Sequence, residues 1–147
     1  METNKKAVMI ADTSGLVSLF SPHDQNHAEA VKAASRLQNE KKDIIIPDAV
    51  FVEFLNVMGR KAGHAMALAA VLELTPPFHV LNETSNLLDS PALLKFQEVP
   101  EAVSFTDCLV MAVADELNTK EIFGFDKQFE DAGYHRLEPS TEWKQSA

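Results

Sequence analysis

The sequence predicts an α/β fold in one domain, with a central, mostly parallel sheet of about five strands and helices on both faces. Three observations predict it. Short apolar runs of the kind that parallel strands need recur along the chain as AVMIA, DIII, FHVL and EIFGF. Stretches of helical periodicity lie between them on short connections, so right-handed crossovers put a helix between successive parallel strands. The length, 147 residues with 46% hydrophobic and 24% charged, suits one ordinary core, and no repeat, low-complexity block or linker marks a second domain.

The first strand is read at Ala7 to Ala11, with Asp12 at its end. A helical stretch from Leu16 to Phe20 is stopped by Ser21-Pro22. Asp24 then caps a helix to about Glu40, whose apolar stripe is Ala28, Val31, Ala34 and Leu37. Asp43 to Ile46 is a second buried strand. Pro47-Asp48 opens a helix from about Ala49 to Lys61 that ends at Gly63, because Pro suits a helix start and Gly a helix end. A helix from Ala65 to Leu74 follows, broken by Thr75-Pro76-Pro77, and Phe78 to Leu81 is the third strand. The segment Glu83 to Gln97 has helical composition, but Pro91 belongs in a first turn, so the helix is placed at about Pro91 to Gln97 with Ser90 as its cap. Ser104 caps a helix to about Leu117. Then come a strand from Glu121 to Phe125, a short helix from Lys127 to Ala132, Gly133, and a last strand from Tyr134 to Leu137. Residues 1–138 are expected to form the domain and 139–147 a tail, loose or packed through Trp143.

The apolar stretches, such as Ala49 to Leu55 and Ala65 to Leu72, fall short of the roughly 20 residues a membrane span needs. No cleavable leader pattern precedes the first strand, so a cytoplasmic location is expected. The single Cys108 has no intrachain partner and reads as a small buried helix residue. A net charge of −9 argues against nonspecific duplex binding, where Lys and Arg supply much of the affinity. Acids gathered at a metal site would contribute to that sum, and bound cations would invert the field a phosphate meets, so the charge alone does not exclude RNA.

Open parallel sheets place their sites at the carboxyl ends of strands. Asp12 follows the first strand and Asp126 the EIFGF strand, so both should project from one rim. Each also has a structural reading. Asp12 and Asp126 can cap the helices that follow them, and Ser104-x-x-Asp107 matches a capping box. Glu53, inside Val50-Phe51-Val52-Glu53-Phe54-Leu55, is surrounded by large apolar residues, where an unpaired carboxylate costs several kcal/mol. A metal or cation would relieve that cost, unless Glu53 occupies an exposed wedge of its helix.

Four segments, VMIADTSGLVSLF, PDAVFVEFLNVMGR, SFTDCLVMAVADELN and IFGFDKQF, resemble in order the successive motifs of PIN domains, most closely those of VapC-type toxin ribonucleases. The resemblance spans nearly the whole chain. It implies a PIN-like nuclease domain in which Asp12, Glu53, Asp107 and Asp126 are the catalytic, metal-holding acids, with the Ser14 hydroxyl also at the site. Hard cations such as Mg²⁺ or Mn²⁺ prefer such carboxylate oxygens, and one or two ions can activate water and stabilise a leaving oxygen in phosphodiester cleavage. The acids should repel one another when brought together, so the metal-free protein is expected to be weakened by its own site and strengthened by metal. Arg60 and Lys61, seven and eight residues beyond Glu53, and Lys127 beside Asp126 are candidate RNA phosphate contacts, against the reading that they are solvated surface charges. His23, His27 and His64 read as surface residues rather than ligands.

The toxin reading implies an RNA substrate, a homodimer and a small cognate antitoxin protein. Two alternatives remain open: a housekeeping PIN nuclease of RNA processing with the same chemistry, and a non-catalytic acidic module that binds a protein. A phospho-acceptor receiver fits less well, because Asp12-Thr13-Ser14 lacks the paired acids expected at its first strand.

Overall fold

A computed structural model describes residues 8–82 and 91–141. Among the described residues the sheet has four parallel strands, β1 (Val8–Ala11), β2 (Asp43–Pro47), β3 (Phe78–Leu81) and β4 (Ile122–Phe123), in the order β3-β2-β1-β4. The chain starts in the middle of the sheet, moves outward to β3 and returns to the other side of β1. That reversal opens a crevice beyond the carboxyl ends of β1 and β4, the place where α/β sheets put their sites. Helices α1 (Thr13–Phe20), α2 (His27–Asn39), α3 (Asp48–Ala62), α4 (His64–Leu72), α5 (Pro91–Glu98), α6 (Phe105–Glu116) and α7 (Lys127–Asp131) flank the sheet.

The core follows from the sequence pattern. Ile10, Ile44, Ile46, Ile122 and Phe123 are fully buried in the strands, and Phe54, Met58 and Phe129 meet them from the helices. Helix α6 is apolar all round and packs against β1, β2, α3 and α5, so every residue from Asp107 to Ala114 is buried. Cys108 is a free, buried thiol there, as its composition suggested. No helix among the described residues is long and apolar enough to cross a membrane.

Several expected boundaries move. The fifth strand is absent: Tyr134 to Leu137 runs beside β4 but makes one isolated parallel bridge, Glu121 with His135. Three backbone bonds still tie the segment down, Ile122 N to His135 O, His135 N to Lys120 O and Leu137 N to Gly124 O, each 2.8 Å. Strand β4 is shortened to Ile122–Phe123. Helix α1 begins at Thr13 rather than Leu16, immediately after Asp12. It can do so because Gly15 lies against β4, where an added Cβ would sit 2.1 Å from the carbonyl oxygen of Phe123. Helix α2 begins at His27, and its buried face is Ala30, Ala33 and Leu37; Ala28 and Val31 are exposed. Asp24 does not cap it. Its carboxylate accepts the Ser18 hydroxyl at 2.7 Å and the Asn26 N–H at 2.9 Å, fixing the turn between α1 and α2. The expected Ser90 cap, the segment before it and the Trp143 contact lie outside the described residues. At the tail, the Ser140 N–H donates to Asn26 Oδ1 at 2.9 Å.

Candidate metal centre

Asp12 is the residue after β1, and it serves as the N-cap of α1 as well as facing the crevice. Its Oδ2 accepts the Ser14 hydroxyl at 3.0 Å and the Ser14 N–H at 3.3 Å. The same Ser14 oxygen accepts the Phe125 N–H at 3.1 Å, so one hydroxyl joins the ends of β1 and β4 and sets Asp12 against the loop that carries Asp126. Asp107 closes the capping box of α6: Ser104 Oγ accepts the Asp107 N–H at 3.1 Å, and Asp107 Oδ2 accepts the Ser104 N–H at 3.1 Å. The capping readings of Asp12 and Asp107 therefore hold, and they coexist with a place in the site. A carboxylate has about four acceptor directions, and a cap occupies one or two of them. Asp126 stands at the N-cap position of α7 but makes no side-chain cap bond.

These elements bring Asp12, Asp107 and Asp126 together, each offering a carboxylate oxygen within 4.8 Å of the others. Asp12 and Asp107 are buried and Asp126 is half-buried. Among the described residues no Lys or Arg forms an ion pair with any of the three. Burial first, then the charges of Asp126 and Asp107, push the Asp12 carboxyl up to about 7. Asp126 is raised by burial and by the charge of Asp107, against the lowering influence of a hydrogen bond with Asp12 and then of the Arg136 charge. Three close carboxylates in a partly desolvated crevice must share protons or bind a cation, because like charges disfavour one another's ionisation. An all-oxygen donor set of this kind fits a hard divalent ion.

Of the two readings of Glu53, the exposed wedge of its helix is the one found. It is exposed on α3, not crowded by apolar neighbours, because the helix buries Val50, Phe54 and Met58 and turns Val52 and Glu53 outward. It nevertheless lines the acidic cleft, of about 460 Å³, with the three aspartates, and the Thr13 hydroxyl donates to its Oε1. Ser14 lines the same cleft. Arg60, Lys61 and Lys127 do not. Lys61 borders a separate cleft with Phe20 and Pro22, Arg60 is exposed, and Lys127 Nζ lies 3.9 Å from Asp131 on its own helix. His23 and His64 are exposed, and His27 is half-buried with Nδ1 2.9 Å from the Ser18 carbonyl oxygen.

Four further residues shape the cleft. Thr13 holds Glu53, Ser104 anchors Asp107, Gln128 Nε2 donates to Asp107 Oδ2 at 3.0 Å, and Gly124 admits Asp12 to its position. Gly124 carried a signal, since a glycine within a strand pattern marks close backbone approach. Thr13 and Gln128 carried none, because their partners are distant in sequence.

The family model of the PIN domain matches residues 9–133. The chain belongs to the PIN domain family. No curated protein matches it. Among solved structures it is similar to the crystal structure of Mycobacterium tuberculosis VapC20, a sarcin-ricin loop cleaving toxin, with a TM-score of 0.75 and 24% sequence identity over 90% of this chain and 100% of that one. That likeness shows the fold.

Proposed function

We propose that this chain is a metal-dependent endoribonuclease of the VapC toxin type, with Asp12, Glu53, Asp107 and Asp126 as the acids that hold Mg²⁺ or Mn²⁺. The observation that carries the reading is the convergence of Asp12, Asp107 and Asp126 within 4.8 Å at the switch point of a PIN fold. The ion these acids would hold would supply an activated water and charge stabilisation for the leaving oxygen of a phosphodiester. The protein's own part is positioning. Ser14 fixes Asp12, Ser104 fixes Asp107 and Thr13 holds Glu53 on the cleft wall. The likeness to VapC20 supports RNA as the substrate class.

The reading extends to a small antitoxin protein as partner, a homodimer, a cytoplasmic setting and a nuclease domain spanning residues 1–138. With a net charge of −9, attraction for RNA phosphate would depend on the loaded centre and on surface cations outside the cleft, of which Arg60, Lys61 and Lys127 are the proposed ones. Expression in a bacterial host tests the toxin reading. The wild type should arrest growth, Asp12→Asn should not, and co-expression of the antitoxin should relieve the arrest. Growth arrest of equal depth with Asp12→Asn would overturn it.

A further inference from the structure

Gln128 is the second residue of α7, in its first turn and two residues beyond Asp126, and its side chain crosses to the first turn of α6. There its amide nitrogen meets Asp107 Oδ2 at 3.0 Å, the oxygen that also accepts the Ser104 N–H at 3.1 Å. Those two bonds fill the lone pairs of Oδ2. Among the described residues no donor reaches Oδ1. A carboxylate only accepts, so the amide must present its NH₂ face, which fixes the Gln128 rotamer as well as the tilt of the Asp107 group.

We propose that Gln128 is a positioning residue, which locks Asp107 by Oδ2 and so commits Oδ1 to the cation. This rests on the metal-site reading above. One short helix then controls two of the acids: it carries Asp126 at its N-cap position and orients Asp107 through Gln128. Hydrogen bonds one step behind a ligand set its direction, and their loss typically costs about 10–100-fold in metal affinity.

Calorimetric titration of the full chain with Mn²⁺ alone tests this in wild type, Gln128→Met, Asp107→Asn and the double variant. Gln128→Met keeps the bulk of the side chain and removes the donor. Its Mn²⁺ affinity should fall roughly tenfold or more, with the melting temperature of the metal-free protein close to wild type. In the Asp107→Asn background the same substitution should change nothing further, because Gln128 acts through Asp107. Wild-type binding with Gln128→Met unchanged, or with equal losses in both backgrounds, overturns the positioning role and leaves the metal site standing. A wild type that binds no Mn²⁺ overturns the metal-site reading itself.

Discussion

A Cβ added to Gly124 would lie 2.8 Å from the Cβ of Asp12, with the Asp12 carboxylate and the Ser14 hydroxyl at 3.3 and 3.2 Å. The centre is thus packed against bare backbone, and Gly124 has no room for a methyl group. Gly124→Ala should destabilise the protein by about 1–3 kcal/mol, the usual range for overpacking, and should weaken Mn²⁺ binding by displacing Asp12. Urea denaturation and Mn²⁺ titration check the two effects together. Wild-type values in both would contradict the packing.

Ser14 should matter for stability as well as for the site. Its oxygen gives a hydrogen bond to Asp12 and takes one from the buried Phe125 N–H. Ser14→Ala leaves that N–H unpaired, at a cost of about 1–3 kcal/mol, and holds the Asp12 side chain by the residue 14 backbone N–H alone. Denaturation midpoints at fixed pH measure the first effect, and nuclease rate the second.

The pH dependence of the metal-free protein has a defined sign. Asp12 has an ordinary carboxyl value of 3.8 and is raised to about 7 in the folded state. Its contribution to stability is fully present below about 3.8 and is lost as the pH rises through about 7, because the unfolded chain gives up the proton first. In EDTA, the wild type should lose stability between pH 5 and 8 by on the order of a few kcal/mol. Asp12→Asn, which preserves a good helix cap, should lose less and be the more stable of the two at pH 8. Saturating Mn²⁺ should restore the wild type. An identical pH response in the two proteins would contradict the strained-acid picture.

Glu53 separates function from stability. It is exposed on α3 and bonded only to Thr13 among the described residues. Glu53→Gln should change stability by no more than about 0.5 kcal/mol while lowering RNA cleavage by roughly 100-fold or more, beyond the range for groups one step behind a ligand. Full activity in Glu53→Gln would remove it from the centre.

Much of this was legible in the sequence because parallel strands buried on both faces leave continuous apolar runs, as in Ile44 to Ile46, and because Asp12 and Asp126 follow strands that the topology makes neighbours. The helix phases were harder to read. In α2 several small residues offer two nearly equivalent stripes, and only packing selects Ala30, Ala33 and Leu37. In α3 the surplus of apolar residues hides the phase and leaves Glu53 between a crowded and an exposed place, although the i, i+4, i+8 spacing of Val50, Phe54 and Met58 marks the inward face. The last strand failed because four residues alongside a two-residue β4 gain only one bridge. At Asp107 the capping motif uses one carboxylate oxygen and leaves the other, so the cap is compatible with the proposed place in the metal site.

The most direct test of the metal-dependent nuclease is RNA cleavage by the purified chain, with Mg²⁺ or Mn²⁺ and with EDTA, for wild type, Asp12→Asn and Asp107→Asn. The expected result is cleavage by the wild type that requires the divalent ion and disappears in both variants. Cleavage that persists in EDTA or in the variants, or a wild type that cuts no RNA with either metal, would contradict it.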